Sequence, residues 1–416
     1  MKKEKAVAIL DLKAFYASVE CVERNLNPFT TPLAVVDAER GEGTIVLSVS
    51  PYLKSLGVPS RCRKRDLPNI DGMIYATPRM ELYVHKSNHV MSIILDFITE
   101  EDLHIYSIDE AFLNIGPYLN YYKCTPEGLV KRIQKKIKDR LGLIATAGIG
   151  PNPFIAKVAL DNEGKNNKDF IATWTKEDLI QKLWPIKPVS KMWGISTGIE
   201  KRLNKLGIYY IGELANADIN RLKKEFGIIG EEIHNHANGI DECDIREKYI
   251  PSSKSLSLGQ VLMRDYTYKE IPLLLREMVD DLSYRMRLQS KMTDRVSVGI
   301  MYSAEFNDGF NKALTLEYPT DDNDTIYKAL LQLYKKHVKD QPIRRIYINF
   351  SGLDKTPYDQ ISLFEDEEEH IKKRKLRKTL DAIQTKYGMN SVLRSSSLLE
   401  GSTAKERHNQ IGGHRK

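Results

Sequence analysis

The sequence has little cysteine and no long apolar run, and each of these absences excludes a class of protein. Only four of the 416 residues are cysteine, and their wide, unpaired spacing argues against a zinc ribbon or a disulfide framework. No apolar stretch is long enough to span a bilayer, so we expect no membrane association. The cysteines are Cys21, Cys62, Cys124 and Cys243.

The N-terminus and the overall composition favour a folded protein of the cytoplasm. The first residues are basic, but the apolar run after them is short and ends in an acid, unlike a secretory signal. Hydrophobic residues make up 41% of the chain and charged residues 29%, which is typical of a globular protein. A length of 416 residues suggests about three domains. The net charge of +7 is a modest indication of a polyanionic partner, although many soluble proteins are this basic.

Acidic residues follow predicted strands at two places in the first part of the chain. The apolar run at residues 6–10 predicts a buried strand that ends on Asp11, and an unpaired buried charge costs about 3 kcal/mol or more. Asp109 and Glu110 separate two further apolar segments, which predicts a hairpin with both acids at its tip. An Asp-Glu pair is also common turn chemistry. If the strands are neighbours, three carboxylates converge, and magnesium is the cation that suits them.

The order of predicted elements up to about residue 165 indicates an α+β domain, with helices on a mostly antiparallel sheet. A helix is expected from Phe15 to Leu26, a strand at residues 44–50, and another helix that begins after the capping residue Thr125. The polar stretch at residues 161–169 is expected to be mobile.

The second half of the chain is predicted to contain a pair of short helices, a linker, a second domain and a tail. Two short helices joined by a glycine-containing hairpin at Gly207 would present backbone N–H groups to a phosphate. Residues 241–253 are polar with little periodicity, and we interpret them as a linker. Residues 254–352 predict a β-α-β-β-α-β domain. In the tail, we expect a helix from His370 to Tyr387 and a disordered end.

Three segments of the sequence, in order, resemble the signature blocks of the Y-family translesion DNA polymerases of the UmuC type. The match extends from residue 6 to about residue 350. It implies a right-hand polymerase built of palm, fingers, thumb and little finger. The matching segments are Ala8–Glu20, Tyr106–Phe112 and Gly148–Lys157. The implied domains are the palm (1–12 and 76–165), the fingers (13–75), a helix-hairpin-helix-like thumb (166–240), the linker (241–253), the little finger (254–352) and a C-terminal tail (353–416).

The resemblance assigns catalytic roles to the acids. It implies that Asp11 and Asp109 hold two Mg²⁺ ions, that Glu110 completes the site, and that the carbonyl of Leu12 is a further ligand. In such a site one ion activates the primer 3′-hydroxyl and the other neutralises the triphosphate and the leaving pyrophosphate. The implied substrates are primer–template DNA and deoxynucleoside triphosphates.

The resemblance also implies a nucleotide-binding set. Tyr16 stands at the position of the family's steric gate, where a rigid ring excludes a ribose 2′-hydroxyl, and Phe15 beside it is grouped with the same site. Both aromatic residues also fit the pattern of packed helix residues. Lys54 and Lys165 match the basic residues that bind the triphosphate, although Lys165 is displaced by one position and a solvated loop lysine is the alternative. Lys13 departs from the family, since many relatives carry an acid or asparagine there.

The segment at residues 360–364 resembles the bacterial sliding-clamp-binding motif Q-x-x-L-F. Leu363 and Phe364 would fill an apolar pocket, and Gln360 would fix the register of the peptide. The sliding clamp is therefore an expected partner.

The predicted function is template-directed DNA synthesis past damage, in the UV or SOS response. Two other classes remain open from the residues alone. A two-metal nuclease would also gather acids around magnesium, but it would not need a triphosphate-binding lysine pair. A non-catalytic protein that binds damaged DNA or the clamp would show no metal-dependent turnover.

Overall fold

The chain folds into two compact units, one within residues 1–248 and the other within residues 249–415. No helix in the part of the chain that the structure describes is both long and apolar enough to cross a membrane. The computed structural model of the protein describes residues 6–248, 250–251, 253–354 and 367–416.

The first unit contains two sheets. Its strands are β1 (Val7–Leu12), β2 (Leu33–Val35), β3 (Ser48–Val49), β4 (Ile74–Ala76), β5 (Leu103–Ile105), β6 (Glu110–Asn114), β7 (Ala145–Gly150) and β8 (Ile171–Thr173). The larger sheet has the order β5-β6-β1-β7-β8, and only the β7–β8 pair is parallel. The smaller sheet has the order β3-β2-β4. The predicted α+β class with a mostly antiparallel sheet is confirmed.

Ten α-helices accompany these sheets in the described part of the first unit. They are α1 (Phe15–Val22), α2 (Pro51–Ser55), α3 (Met80–Leu95), α4 (Leu119–Tyr122), α5 (Pro126–Leu141), α6 (Pro153–Ala159), α7 (Thr197–Lys205), α8 (Ile211–Ala215), α9 (Ile219–Phe226) and α10 (Ile228–Ala237). The start of α5 follows from its sequence, because the Thr125 side chain accepts a hydrogen bond from the Gly128 N–H and proline occupies the first turn. α7 and α8 form the expected pair of short helices around Gly207, whose φ is 80°.

Two elements are shorter than the sequence pattern predicted. The helix expected to reach Leu26 ends at Val22, and Asn25 adopts a left-handed φ of 56°, a conformation that stops a helix. The strand expected at residues 44–50 contains only β3, which pairs with β2 at two positions. The Leu47 and Ser50 N–H groups still donate to the oxygens of β2 at 2.9 and 2.8 Å, but the Val46 N–H donates to Cys62 instead.

The start of the predicted linker is attached to the first unit at several points: Asp241 accepts a hydrogen bond from the Phe154 N–H at 2.9 Å, and Ile245 packs against a buried cluster of that unit. Residues 241–248 contain no helix or strand. Arg246 nevertheless forms a two-pronged ion pair with the buried carboxylate of Asp102, at 2.7 and 3.1 Å. We therefore expect the start of this segment to move with the first unit.

The second unit has the predicted β-α-β-β-α-β order. Its elements are β9 (Leu256–Tyr266), α11 (Ile271–Leu288), β10 (Met292–Tyr302), β11 (Gly309–Thr320), α12 (Asn323–His337) and β12 (Ile343–Asp354). The sheet is antiparallel in the order β11-β10-β12-β9. Alternate residues of β10, such as Val296, Val298 and Ile300, are fully buried against the two helices, which is the expected burial pattern for a sheet covered on one face.

The expectation of a disordered C-terminal end is wrong. After α13 (Glu367–Tyr387), the chain forms α14 (Ala404–His408) and a small hairpin of β13 (Gln410–Ile411) and β14 (His414–Arg415). Arg407 and His408 contact the buried Asp281 of α11, and the Thr403 N–H donates to Glu277 at 3.1 Å. The composition of the tail is polar and predicted disorder. Composition cannot show that the tail forms hydrogen bonds and ion pairs with α11, which lies more than a hundred residues earlier in the chain.

Candidate active site

Adjacent antiparallel strands bring the acidic residues of the first unit together. Asp11 lies opposite Glu110 in the register of β1 and β6. The Leu12 N–H donates to the backbone oxygen of Asp109 at 2.9 Å. β1 is buried from Val7 to Leu10, and the chain becomes partly exposed at Asp11. The three acids therefore lie at one end of the central strand pair.

The Glu110 carboxylate belongs to a largely buried network. It accepts a hydrogen bond from the Lys157 ammonium at 2.7 Å, and Lys157 is only 5% exposed. Burial and a hydrogen bond with Asp11 raise the pKa of Glu110 to about 7, while Lys157 opposes the rise. Two carboxyl groups in contact share negative charge that a nearby cation stabilises.

Lys165 reaches the acids through an irregular turn of the chain. α6 continues into a π-helical turn at Leu160–Gly164, and the Lys165 N–H donates to the Leu160 oxygen at 3.0 Å. A π turn takes up one residue more than an α-helical turn. The π turn therefore places Lys165 one residue further along the chain than a regular α-helical turn would.

The side chain of Lys165 is paired rather than solvated. Its ammonium lies 2.9 Å from the Asp11 carboxylate and 2.8 Å from that of Asp161. Burial alone would lower the pKa of Lys165, but these two acids raise it above its ordinary value. Within the stretch predicted to be mobile, residues 161–164 have π-helical geometry and ion pairs hold Asp161 and Lys165; its mobility stays a prediction.

Asp109 is turned toward its own hairpin. Its carboxylate accepts a hydrogen bond from the Ser107 hydroxyl at 2.7 Å. Within the described residues, no three His, Cys, Asp or Glu side chains converge closely enough to hold a metal as they stand. The donor set still fits magnesium, because it consists of hard oxygen atoms and includes two carboxyl groups in contact.

Aromatic side chains form a packed layer beside the acids. Tyr16 is partly exposed and stacks on Tyr83 with ring centroids 4.7 Å apart, whereas Phe15 is 3% exposed and packs as a core residue. Burial, and next the charge of Asp109, raise the pKa of Tyr16. The Tyr83 hydroxyl donates to the buried Glu20 at 2.7 Å, so the ring beneath Tyr16 is held in place.

Two further lysines lie near the acids. Lys54 belongs to α2 and is exposed. Partial removal from water lowers its pKa, and the charges of Asp11 and Asp109 oppose the change. Lys13 directly follows β1, and its ammonium donates to the backbone oxygen of Lys165 at 2.8 Å. Burial, and next the charge of Lys54, lower the pKa of Lys13.

Sequence reasoning did not single out Lys157, Glu20 or Tyr83. Lys157 stands in one of the matching segments, and the signal that could have found it is a lysine in a helix that is otherwise buried. Glu20 and Tyr83 are 63 residues apart, and no local pattern links them. The predicted clamp-binding residues Gln360, Leu363 and Phe364 lie outside the described residues.

Comparisons with known proteins identify the family of this chain. Residues 10–161 match the impB/mucB/samB family model, and residues 253–363 match the model of that family's C-terminal domain. The UV-damage repair protein UvrX of Bacillus subtilis (strain 168) is 37% identical over 99% of this chain and 98% of its own length. DNA polymerase IV 2 of the same organism is 34% identical over 100% of both chains.

A solved structure has the same fold. A Y-family DNA polymerase chimera of Dbh and Dpo4 superposes with a TM-score of 0.67 at 21% identity, and the match covers 84% of this chain and 99% of that one. The fold and the family matches define a right-hand nucleotidyltransferase of α+β architecture. The chain belongs to the impB/mucB/samB family, the Y-family DNA polymerases, and the predicted class of enzyme is confirmed.

Proposed function

We propose that this protein copies primed DNA templates past damaged bases by two-magnesium nucleotidyl transfer, in the cellular response to UV damage. The observation that carries this proposal is the register of Asp11 with Glu110, next to Asp109, in a chain of this family. We place the protein in the cytoplasm, on the nucleoid when it is bound to DNA.

Four groups of the chain would hold the metal ions: the carboxylates of Asp11, Asp109 and Glu110 and the carbonyl of Leu12. When bound, the ions supply activation of the primer 3′-hydroxyl and neutralisation of the leaving pyrophosphate. Lys157 holds the Glu110 carboxylate in place through its 2.7 Å hydrogen bond, because a buried carboxylate without a partner is strongly disfavoured.

The nucleotide would bind between the lysines and the aromatic layer. Lys165 and Lys54 attract the triphosphate, and Lys165 can exchange its contacts with Asp11 and Asp161 for phosphate oxygens. Tyr16, supported from below by Tyr83, blocks the space that a ribose 2′-hydroxyl requires. The ring of Phe15 contacts that of Tyr16 at a tilt, with centroids 5.6 Å apart, and contributes to its position.

The larger divisions of the chain would have the roles of a polymerase hand. The palm carries the acids, and the helical hairpin of the thumb holds DNA by its phosphates without reading sequence. The segment at residues 360–364 would bind the sliding clamp. We assign the palm to residues 1–12 and 76–165, the fingers to 13–75, the thumb to 166–240 and the little finger to 254–352.

Primer extension by the purified protein tests this proposal. We expect Mg²⁺-dependent nucleotide addition on undamaged templates, and continued synthesis past a UV photoproduct at which a replicative polymerase stops. Asp109→Ala should abolish synthesis and retain DNA binding. Strand cleavage without nucleotide addition would favour a nuclease, and DNA binding without turnover would favour a scaffold protein; either result would overturn the proposal.

A further inference from the structure

We propose that Lys13 is a positioning residue that fixes Lys165 at the triphosphate end of the active site. This inference rests on the proposed polymerase function. It concerns the lysine that directly follows β1.

The contacts of Lys13 hold both ends of one short segment. Its ammonium donates to the backbone oxygen of Lys165 at 2.8 Å, although the two residues are 152 positions apart. The same ammonium lies 4.8 Å from the centre of the Phe170 ring, within the range of a cation–π contact. Residues 165–170 are therefore tied to the end of β1 at their first and last positions.

The carbonyl of Lys165 needs such a partner. Lys165 directly follows the π turn at Leu160–Gly164, and backbone carbonyls at the end of a helical segment have no partner within the helix. A cation near such carbonyls is also favoured by the helix dipole. Lys13 supplies both the hydrogen-bond donor and the positive charge.

The position of that carbonyl determines where the Lys165 side chain can reach. The side chain is held by Asp11 and Asp161, and the triphosphate must replace at least one of these contacts. Without Lys13, the Lys165 carbonyl would lose the hydrogen bond that ties it to the end of β1. The Lys165 ammonium would then lie near the acids in a smaller fraction of the molecules. Because the Lys13 ammonium is already engaged by an oxygen and a ring, we infer that it acts through Lys165 rather than on the nucleotide.

Single-nucleotide incorporation kinetics on a primed template test this role with the full-length protein. Lys13→Met should raise KM for the nucleotide about tenfold, the scale of one charge-assisted hydrogen bond, and change kcat less than threefold. Lys13→Arg, which keeps a donor and a cation, should restore KM to within about threefold of the wild-type value. Phe170→Leu should raise KM in the same direction but less.

A double-variant cycle separates action through Lys165 from direct contact. If Lys13 acts through Lys165, then adding Lys13→Met to Lys165→Met should cause little further loss, because the side chain being positioned is already gone. Lys131→Met is the matched control, since Lys131 anchors the same region through an exposed ion pair with Asp169 at 2.9 Å. It should leave KM unchanged.

Three results would overturn the inference while the polymerase function stands: an unchanged KM in Lys13→Met, independent and multiplicative effects in the double variant, or an equal effect of Lys131→Met. A wild-type protein that adds no nucleotide would instead overturn the proposed function, and this inference with it. Circular dichroism and gel filtration of each variant identify any loss of folding. If Lys13→Met does not fold, the KM values of Lys13→Arg and Phe170→Leu test the inference instead.

Discussion

Replacing Arg407 by leucine should release the C-terminal segment from helix α11. The Arg407 guanidinium donates to the Asp281 carboxylate at 2.8 Å, and His408 contacts the other oxygen of that carboxylate at 2.7 Å. All three side chains are 10% exposed or less. The segment is therefore held by a buried charge cluster rather than by a surface ion pair.

The magnitude follows from what the substitution leaves behind. Removing one partner of a buried ion pair costs about 3–5 kcal/mol, and the lower end applies because His408 still contacts Asp281. A loss of about 3 kcal/mol increases the population of the undocked segment roughly a hundredfold. The matched control is Arg394→Leu, whose partner Asp280 is on the same helix; this pair is 46% and 26% exposed and should contribute less than about 1 kcal/mol.

Hydrogen exchange at the Thr403 amide measures the docking, because that N–H donates to the buried Glu277. We expect exchange about a hundred times faster in Arg407→Leu and nearly unchanged in Arg394→Leu. Equal exchange rates in the two variants would refute the buried-cluster explanation.

Acid should loosen the same contact. Burial opposes the charged form of Asp281, but His408 and Arg407 hold the pKa of Asp281 below its ordinary value. The pKa of an aspartate in an unfolded chain is about 4. Because folding lowers the pKa of Asp281 below that value, the charged carboxylate stabilises the docked form at pH values above about 4. This contribution is lost as pH falls through the lower pKa of the folded form. Hydrogen exchange at Thr403 should therefore depend on acid more strongly in the wild type than in Asp281→Asn. The same acid dependence in both proteins would contradict this assignment.

Three further predictions concern the active site and the clamp segment. Tyr16→Ala should admit ribonucleotides while DNA synthesis continues, and unchanged sugar selectivity in competition assays would refute the gate assignment. Lys157→Met should lower kcat about tenfold or more, with a smaller effect on nucleotide KM, because Glu110 loses its buried partner; a KM effect alone would contradict this role. The double substitution of Leu363 and Phe364 by alanine should abolish retention by the sliding clamp in a pull-down, and full binding by that variant would remove the claim.

Local sequence pattern was sufficient to predict several of the elements, although not always their ends. The buried run that ends at Asp11 and the apolar segments around Asp109 predicted strands, because alternation and burial depend on residues close in the chain. That these strands are neighbours was only a condition of the prediction, and the register of β1 with β6 meets it. The cap at Thr125 predicted the start of α5 for the same reason.

Features that depend on residues distant in the chain could not be predicted from local sequence pattern. The π turn that directs Lys165 toward Asp11 has no local sequence signature in this chain. The ordered C-terminal segment depends on Asp281, which is 126 residues from Arg407. Polar composition predicts disorder only when no such partner exists.

In the proposed mechanism, the acids at the end of β1 and β6 hold a pair of divalent ions beside the primer terminus. Electron paramagnetic resonance can count bound Mn²⁺ in a complex with a dideoxy-terminated primer–template and the next correct nucleotide. We predict two ions per protein in the wild type and fewer in Asp109→Asn. The same number of ions in both proteins, or none in the wild type, would refute metal binding by these acids.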